Sequence, residues 1–238
     1  MTTDEIVSQL RRQANAGNLA GMARYGIVVD HALGVPMPQL RSMAKTIGKD
    51  HVLAISLWDT GIHEARILAS LIDTSTEVTI IQLQRWVAQI DSWDVCDQLV
   101  MNLFAHLPDA VSIAAEWSSD PREFVKRAGF VIMARLASGN RTMQDNVFER
   151  FLGLVERQAG DPRNFVKKAV NWALREIGAR NERLHAQAVQ LAEALSRSPH
   201  PTTRWVGMDA LRTLREKATT GRVRHLGQPL AVPLRSHP

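Results

Sequence analysis

The 238-residue chain sets 29 Lys and Arg against 24 Asp and Glu, a formal charge of +5 that invites an anionic partner, although excess charge also serves solubility. Hydrophobic residues at 45% and charged residues at 22% exclude a chain disordered throughout, and the length suits one domain. A single cysteine, Cys96, excludes an internal disulfide, and no CxxC or Cys/His cluster signals a structural zinc, so a reducing, cytoplasmic setting is expected.

The first residues, MTTDEIVSQLRRQ, predict an amphipathic helix with no apolar signal core. No run of about 18 apolar residues follows, so neither export nor a membrane span is expected. Beyond it, apolar positions recur every three or four residues, as in TIIQLQRWVAQI (79–90) and HAQAVQLAEALSR (185–197), and strand-like alternation is nearly absent. Turn chemistry separates the predicted helices at GVPMPQ (34–39), SSDPR (118–122), AGDPR (159–163) and SPHP (198–201). Each DPR predicts an Asp N-cap followed by proline in the first helical position, where no amide hydrogen is needed.

DPREFVKRAGFVIMARLA starts at Asp120, and DPRNFVKKAVNWALREIG starts 41 residues later at Asp161. A weaker third copy, TTRWVGMDALRTL, puts Trp205 and Val206 40 residues after Phe165 and Val166. This period is that of HEAT or armadillo repeats, whose helix pairs stack because no pair alone buries its apolar face. The expected fold is all-α: a right-handed-type superhelical array of HEAT-like repeats with a concave basic face. It occupies residues 1–216, followed by a basic tail, 217–238, that contains proline and glycine. Lys217, Arg222, Arg224 and Arg235 of the tail could touch phosphates, though an ordinary soluble tail accounts for them as well.

Under the 41-residue shift Arg127 lands on Lys168, which predicts cations on equivalent faces of neighbouring helices. Trp172 follows Lys168 by four residues and Arg175 follows Trp172 by three, placing the three on one side. Two readings stand: contact with phosphates and a base or sugar, or Trp172 packed between helices with its cations reaching out to water.

In SWDVCD (92–97), Ser92 predicts a cap, and Trp93 and Asp94 fall in the first turn, where Asp94 complements the helix dipole. Asp97 lies a turn beyond Trp93 on the same face, where that advantage has faded. An ion pair with a neighbouring helix is the ordinary explanation. HEAR (63–66) reads as a surface helix end with local ion pairing. Cys96 should point about 100° away from Asp97 and pack inward. Trp58, Trp86 and Trp117 sit on apolar stretches and are expected in the core. The eight histidines form no metal-binding pattern, so neither metal nor cofactor is expected.

MARYG (22–26), GVPMPQLRSMAK (34–45), SWDVCD, FVKRA (124–128) and FVKKAVNWALRE (165–176) occur in an order that resembles the AlkD-like DNA alkylation-repair glycosylases. The resemblance implies a HEAT-like array that wraps duplex DNA, associates with the nucleoid and removes cationic N3- and N7-alkylpurines in base-excision repair, leaving the modified pair largely within the duplex. Matched by motif, Asp97 resembles the catalytic aspartate of that family. Trp93 and Trp172 resemble its two sugar-contacting tryptophans, Tyr25 an aromatic contact in the cleft, and Arg127 a residue that grips DNA backbone. Face geometry adds Lys168 and Arg175 as further backbone contacts. The expected enzyme is a monomeric, monofunctional glycosylase. The alternatives are a non-catalytic HEAT-like binder of branched or damaged DNA and a protein-binding scaffold.

Overall fold

The computed structural model describes residues 1–219, and the tail residues from 220 onward lie outside it. Among the described residues there are thirteen α-helices and no strand. In chain order they are α1 (Thr3–Arg12), α2 (Ala16–Arg24), α3 (Met37–Ile47), α4 (His51–Asp59), α5 (His63–Ile72), α6 (Ile80–Ala88), α7 (Trp93–Asn102), α8 (Ala110–Trp117), α9 (Glu123–Gly139), α10 (Asp145–Gln158), α11 (Asn164–Gly178), α12 (Glu182–Ser196) and α13 (Pro201–Thr219). A 3₁₀ turn, Phe104–His106, follows α7. None of these helices is long and apolar enough to cross a membrane.

Local chemistry explains the helix starts. Thr2 and Glu5 close a reciprocal capping box ahead of α1, whose Ile6 and Leu10 are fully buried. Asp50, Thr79 and Asn181 cap α4, α6 and α12 through their side chains. The DPR segments behave differently from the expectation. Helices α9 and α11 begin at Glu123 and Asn164, so each DPR precedes its helix. Asp120 and Asp161 each accept the backbone N–H of the arginine two residues on, at 2.8 and 3.1 Å, and pair with that arginine's guanidinium. The aspartate is spent on a turn of its own, and the helix starts after it.

Packing follows the repeat. Helices α4 and α5, α8 and α9, α10 and α11, and α12 and α13 pair, while α5, α7, α9, α11 and α13 pack in succession. Val125, Val166 and Val206 recur at the repeat spacing and are all buried. The central helix α9 has apolar residues on nearly every side, as befits a helix enclosed by neighbours. Trp58 and Trp86 stack with ring centres 4.4 Å apart, Trp117 meets Phe104 edge-on, and Cys96 is fully buried, all as expected for core residues. Burial pushes the Cys96 thiol up, out of the reactive range.

Polar side chains tie successive repeats together. Lys126 reaches forward to Asp161 at 3.2 Å, and Arg163 reaches back to the carbonyl of Pro121 at 2.6 Å. Helix α13 is described to Thr219, past the expected boundary at 216. Arg222, Arg224 and Arg235 fall outside the described residues, as does the Lys217 side chain.

Candidate nucleic-acid interface

A cleft of about 740 Å³ opens between α2 and α3 on one side and α5 and α7 on the other. Tyr25, Trp93 and Asp97 line it, so Tyr25 from the α2 side meets two residues of α7 that are distant from it in sequence. Helix α7 sets two of them: Trp93 is its first residue and Asp97 lies one turn on. Tyr25 ends α2 and is 75% exposed at the cleft.

The turn after α2 is pinned from two directions. The Trp93 indole Nε1–H donates to the Tyr25 carbonyl at 3.0 Å, and the Ser92 hydroxyl accepts the Val28 N–H at 2.9 Å. Ser92 thus occupies the N-cap position of α7 but spends its side chain on this turn, where a cap bond was expected. Gly26, at φ 75°, lies so close to the Phe165 ring of α11 that a Cβ would come within 2.8 Å of Cζ. Only glycine satisfies both the backbone angle and the approach.

Asp97 is not a solvated acid. Arg127 of α9 holds it with both prongs of its guanidinium, Nε to Oδ1 at 2.9 Å and Nη2 to Oδ2 at 2.8 Å. The third prong, Nη1, donates to the Phe165 carbonyl at 2.7 Å, so a single side chain links α7, α9 and α11. Burial pushes the Asp97 carboxyl above its ordinary value, while the charge and hydrogen bonds of Arg127 pull the other way. The Arg127 guanidinium also lies 5.9 Å from the centre of the Trp93 ring.

This corrects the expected basic stripe. Arg127 is 5% exposed and its donors are committed within the protein, so it is not presented to a phosphate backbone in this structure. Its repeat partner Lys168 is exposed. The difference arises because Asp97 lies opposite Arg127, whereas the next repeat brings no described carboxylate onto Lys168. Trp172 is half-buried against the core, two turns beyond Phe165 on α11, and Arg175 is partly buried a turn further. Neither they nor Lys168 line the cleft.

Two cleft residues lie elsewhere than the sequence suggested. His63 and Glu64, expected at a surface helix end, are 5% and 1% exposed. His63 Nε2 lies 2.9 Å from Asp94 Oδ2, so Asp94 does more than complement the helix dipole. Burial lowers the His63 pKa, but its hydrogen bond to Asp94 and the charges around it raise it further, and the net direction is up. Glu64 accepts the backbone N–H groups of Leu33, Gly34 and Val35 at 2.6–3.3 Å, which fixes the turn that forms the far wall. Little in the sequence signalled this, because His63, Arg66 and Ser70 share one polar side of HEARILASLI, and it is the packing of α5 against α3, α4 and α7 that buries His63 and Ser70.

The fold and this cleft define a HEAT-like helical-repeat protein with an arginine-held carboxylate beside two aromatic residues. Residues 6–214 match the family model described as "DNA alkylation repair enzyme", and the chain belongs to that family. No curated protein matches the chain in sequence. Among solved structures, one described as belonging to "a new family of proteins related to the HEAT-like repeat DNA glycosylases with affinity for branched DNA structures" overlays with a TM-score of 0.80. The match covers 94% of this chain and 96% of that one at 17% identity. A designed armadillo repeat protein in complex with a peptide reaches a TM-score of only 0.32 at 14% identity, over 90% of this chain and 88% of that one.

Proposed function

We propose that this protein is a monofunctional DNA glycosylase that hydrolyses the N-glycosidic bond of cationic N3- and N7-alkylpurines in duplex DNA. The observation that carries this reading is the Asp97 carboxylate, oriented by Arg127 and facing the cleft beside Trp93. An alkylated purine already carries the positive charge, so it departs neutral when the C1′–N bond breaks with its electron pair going to the base. The sugar becomes an oxocarbenium ion, and a fixed anion beside it lowers the barrier. Arg127 uses two of the roughly four lone-pair sites on the carboxylate. Those remaining can orient the water that adds to C1′ and take up its proton. The face of Trp93 adds attraction to the cationic sugar of about 1 kcal/mol. Asp94 Oδ1, buried with no hydrogen-bond partner among the described residues, supplies a second acceptor on the same wall. Exposed Lys168 contributes a phosphate contact, with Arg175 and Trp172 on the same side of α11 and Tyr25 across the cleft. The protein acts as a monomer in the cytoplasm.

Replacing Asp97 with Asn removes the charge and preserves the shape. Release of N7-methylguanine from a defined duplex should fall about 100-fold in single turnover, while DNA affinity persists. Near-normal release by Asp97→Asn would sink the role given to the carboxylate.

A second reading has a specific observation behind it: both oxygens of Asp97 are already engaged by Arg127. A chain in which that pair is purely structural would bind branched or damaged DNA without excising a base, in line with the affinity stated for the structural relative. Tight DNA binding with no release by the unmodified protein would select this reading.

A further inference from the structure

At the carboxyl end of α9, away from the cleft, lies a hollow of about 340 Å³ whose lining includes His106, Arg135, Asn140, Arg141 and Thr142 but no acid. A helix carboxyl end ordinarily repels anions, since its last carbonyls are unsatisfied. Here that end is already partly served, since the Leu136 carbonyl accepts the Asn140 N–H and a buried arginine reaches the Ala137 carbonyl and the loop after it. Arg180, 7% exposed and lying 4.2 Å from the centre of the Phe148 ring, donates to the carbonyls of Ala137, Asn140 and Met143 at 2.5–3.3 Å. The next acid in the chain, Asp145, is engaged by Asn181 at 2.9 and 3.1 Å.

Arg135 and Arg141 are therefore surplus charge. Neither guanidinium has an ion-pair or hydrogen-bond partner among the described residues. Gly139 permits the arrangement, because a Cβ there would collide with Arg135 Nη1, which folds over the helix end. Asn140 turns its Oδ1 inward to accept from Thr142 and Met143, which leaves its Nδ2 amino group as a further donor. Two guanidinium forks and an amide with no opposing carboxylate match the tetrahedral, multiply accepting shape of a phosphate.

We propose that this hollow binds a phosphate group, and that its source is a backbone phosphodiester of DNA held at the cleft. The chemistry of the hollow stands alone, but the source rests on the DNA reading above. From Arg127 to Gly139 the helix rises about 18 Å, a span that a strand leaving the cleft covers within a few nucleotides.

The test uses the full chain and an Arg135→Gln/Arg141→Gln double variant. Fluorescence anisotropy with a labelled duplex, repeated across a salt series, should show a log–log salt slope less steep by about 1.8 in the variant, for two lost phosphate contacts. Gly139→Ala, which displaces the Arg135 guanidinium without changing charge, should lose about half of that slope. In parallel, inorganic phosphate is titrated while the ring protons of His106 are followed by NMR. They should shift saturably in the unmodified protein and not in the double variant. A phosphate-dependent shift with an unchanged salt slope would overturn DNA as the source. Unchanged slope with no shift would overturn the hollow altogether. An unmodified protein that fails to bind DNA would defeat the proposed function, and the His106 titration would still decide the hollow.

Discussion

Removing the guanidinium of Arg127 should destabilise the protein well beyond the loss of an ordinary surface ion pair. In Arg127→Met the aliphatic stem remains, but Asp97 loses both of its charge-assisted hydrogen bonds, and the Phe165 carbonyl loses its donor. The two side chains are 6% and 13% exposed, so water screens the pair little and solvates the stranded carboxylate poorly. Two such bonds at about 1.5–3 kcal/mol each, or equivalently an uncompensated charge left at a mostly buried site, give an expected cost of about 3–5 kcal/mol. Urea denaturation of the wild type, Arg127→Met, Asp97→Asn and the double variant forms a cycle that isolates the pair. The double variant should recover part of the loss, because no charge is left unpaired, with a coupling of about 2 kcal/mol or more. A cost below about 1 kcal/mol for Arg127→Met would refute the view that Arg127 and Asp97 form one buried, pre-set unit.

Two further outcomes follow from the cleft. Gly26→Ala forces a side chain into both a positive φ and the Phe165 ring, and should cost about 1–3 kcal/mol. Gly21→Ala, in α2 with open space around it, should be neutral or stabilise by up to about 1 kcal/mol; equal thermal shifts for the two variants would contradict the pinned turn. His63, whose pKa is raised above 6.5, stabilises the fold most fully below pH 6.5, and that contribution is lost as pH rises through its folded value. In Asp94→Asn its NMR titration midpoint should fall and the pH dependence of stability across that window should flatten, whereas an unchanged midpoint would remove Asp94 as the cause.

Periodicity carries information about neighbours along a helix, so the helices and the repeat were readable. The 41-residue echo from Asp120 to Asp161 predicted a stacked array, and Val125, Val166 and Val206 occupy its buried positions. The helix boundaries at the DPR turns were not readable to the residue, because Asp120 and Asp161 can either cap a helix or make a turn, and the following arginine decides between them.

The sequence also singled out Asp97 as an acid needing an explanation beyond helix propensity, and allowed an ion pair with a neighbouring helix. Its partner was hidden, since Arg127 lies thirty residues away and repeat logic equates it with Lys168, which is exposed. Whether a cation faces water or a carboxylate depends on what the adjoining helix places opposite it, and α7 offers Asp97. For the same reason only the packed structure could assign Glu64 to the turn at Leu33–Val35 or bring Tyr25 onto Trp93. By itself the sequence determined the helical repeat and the residue types available for a site. The tertiary structure decided which of their charges are spent inside the protein and which remain for a ligand, because pairing depends on distances between helices that no periodicity encodes.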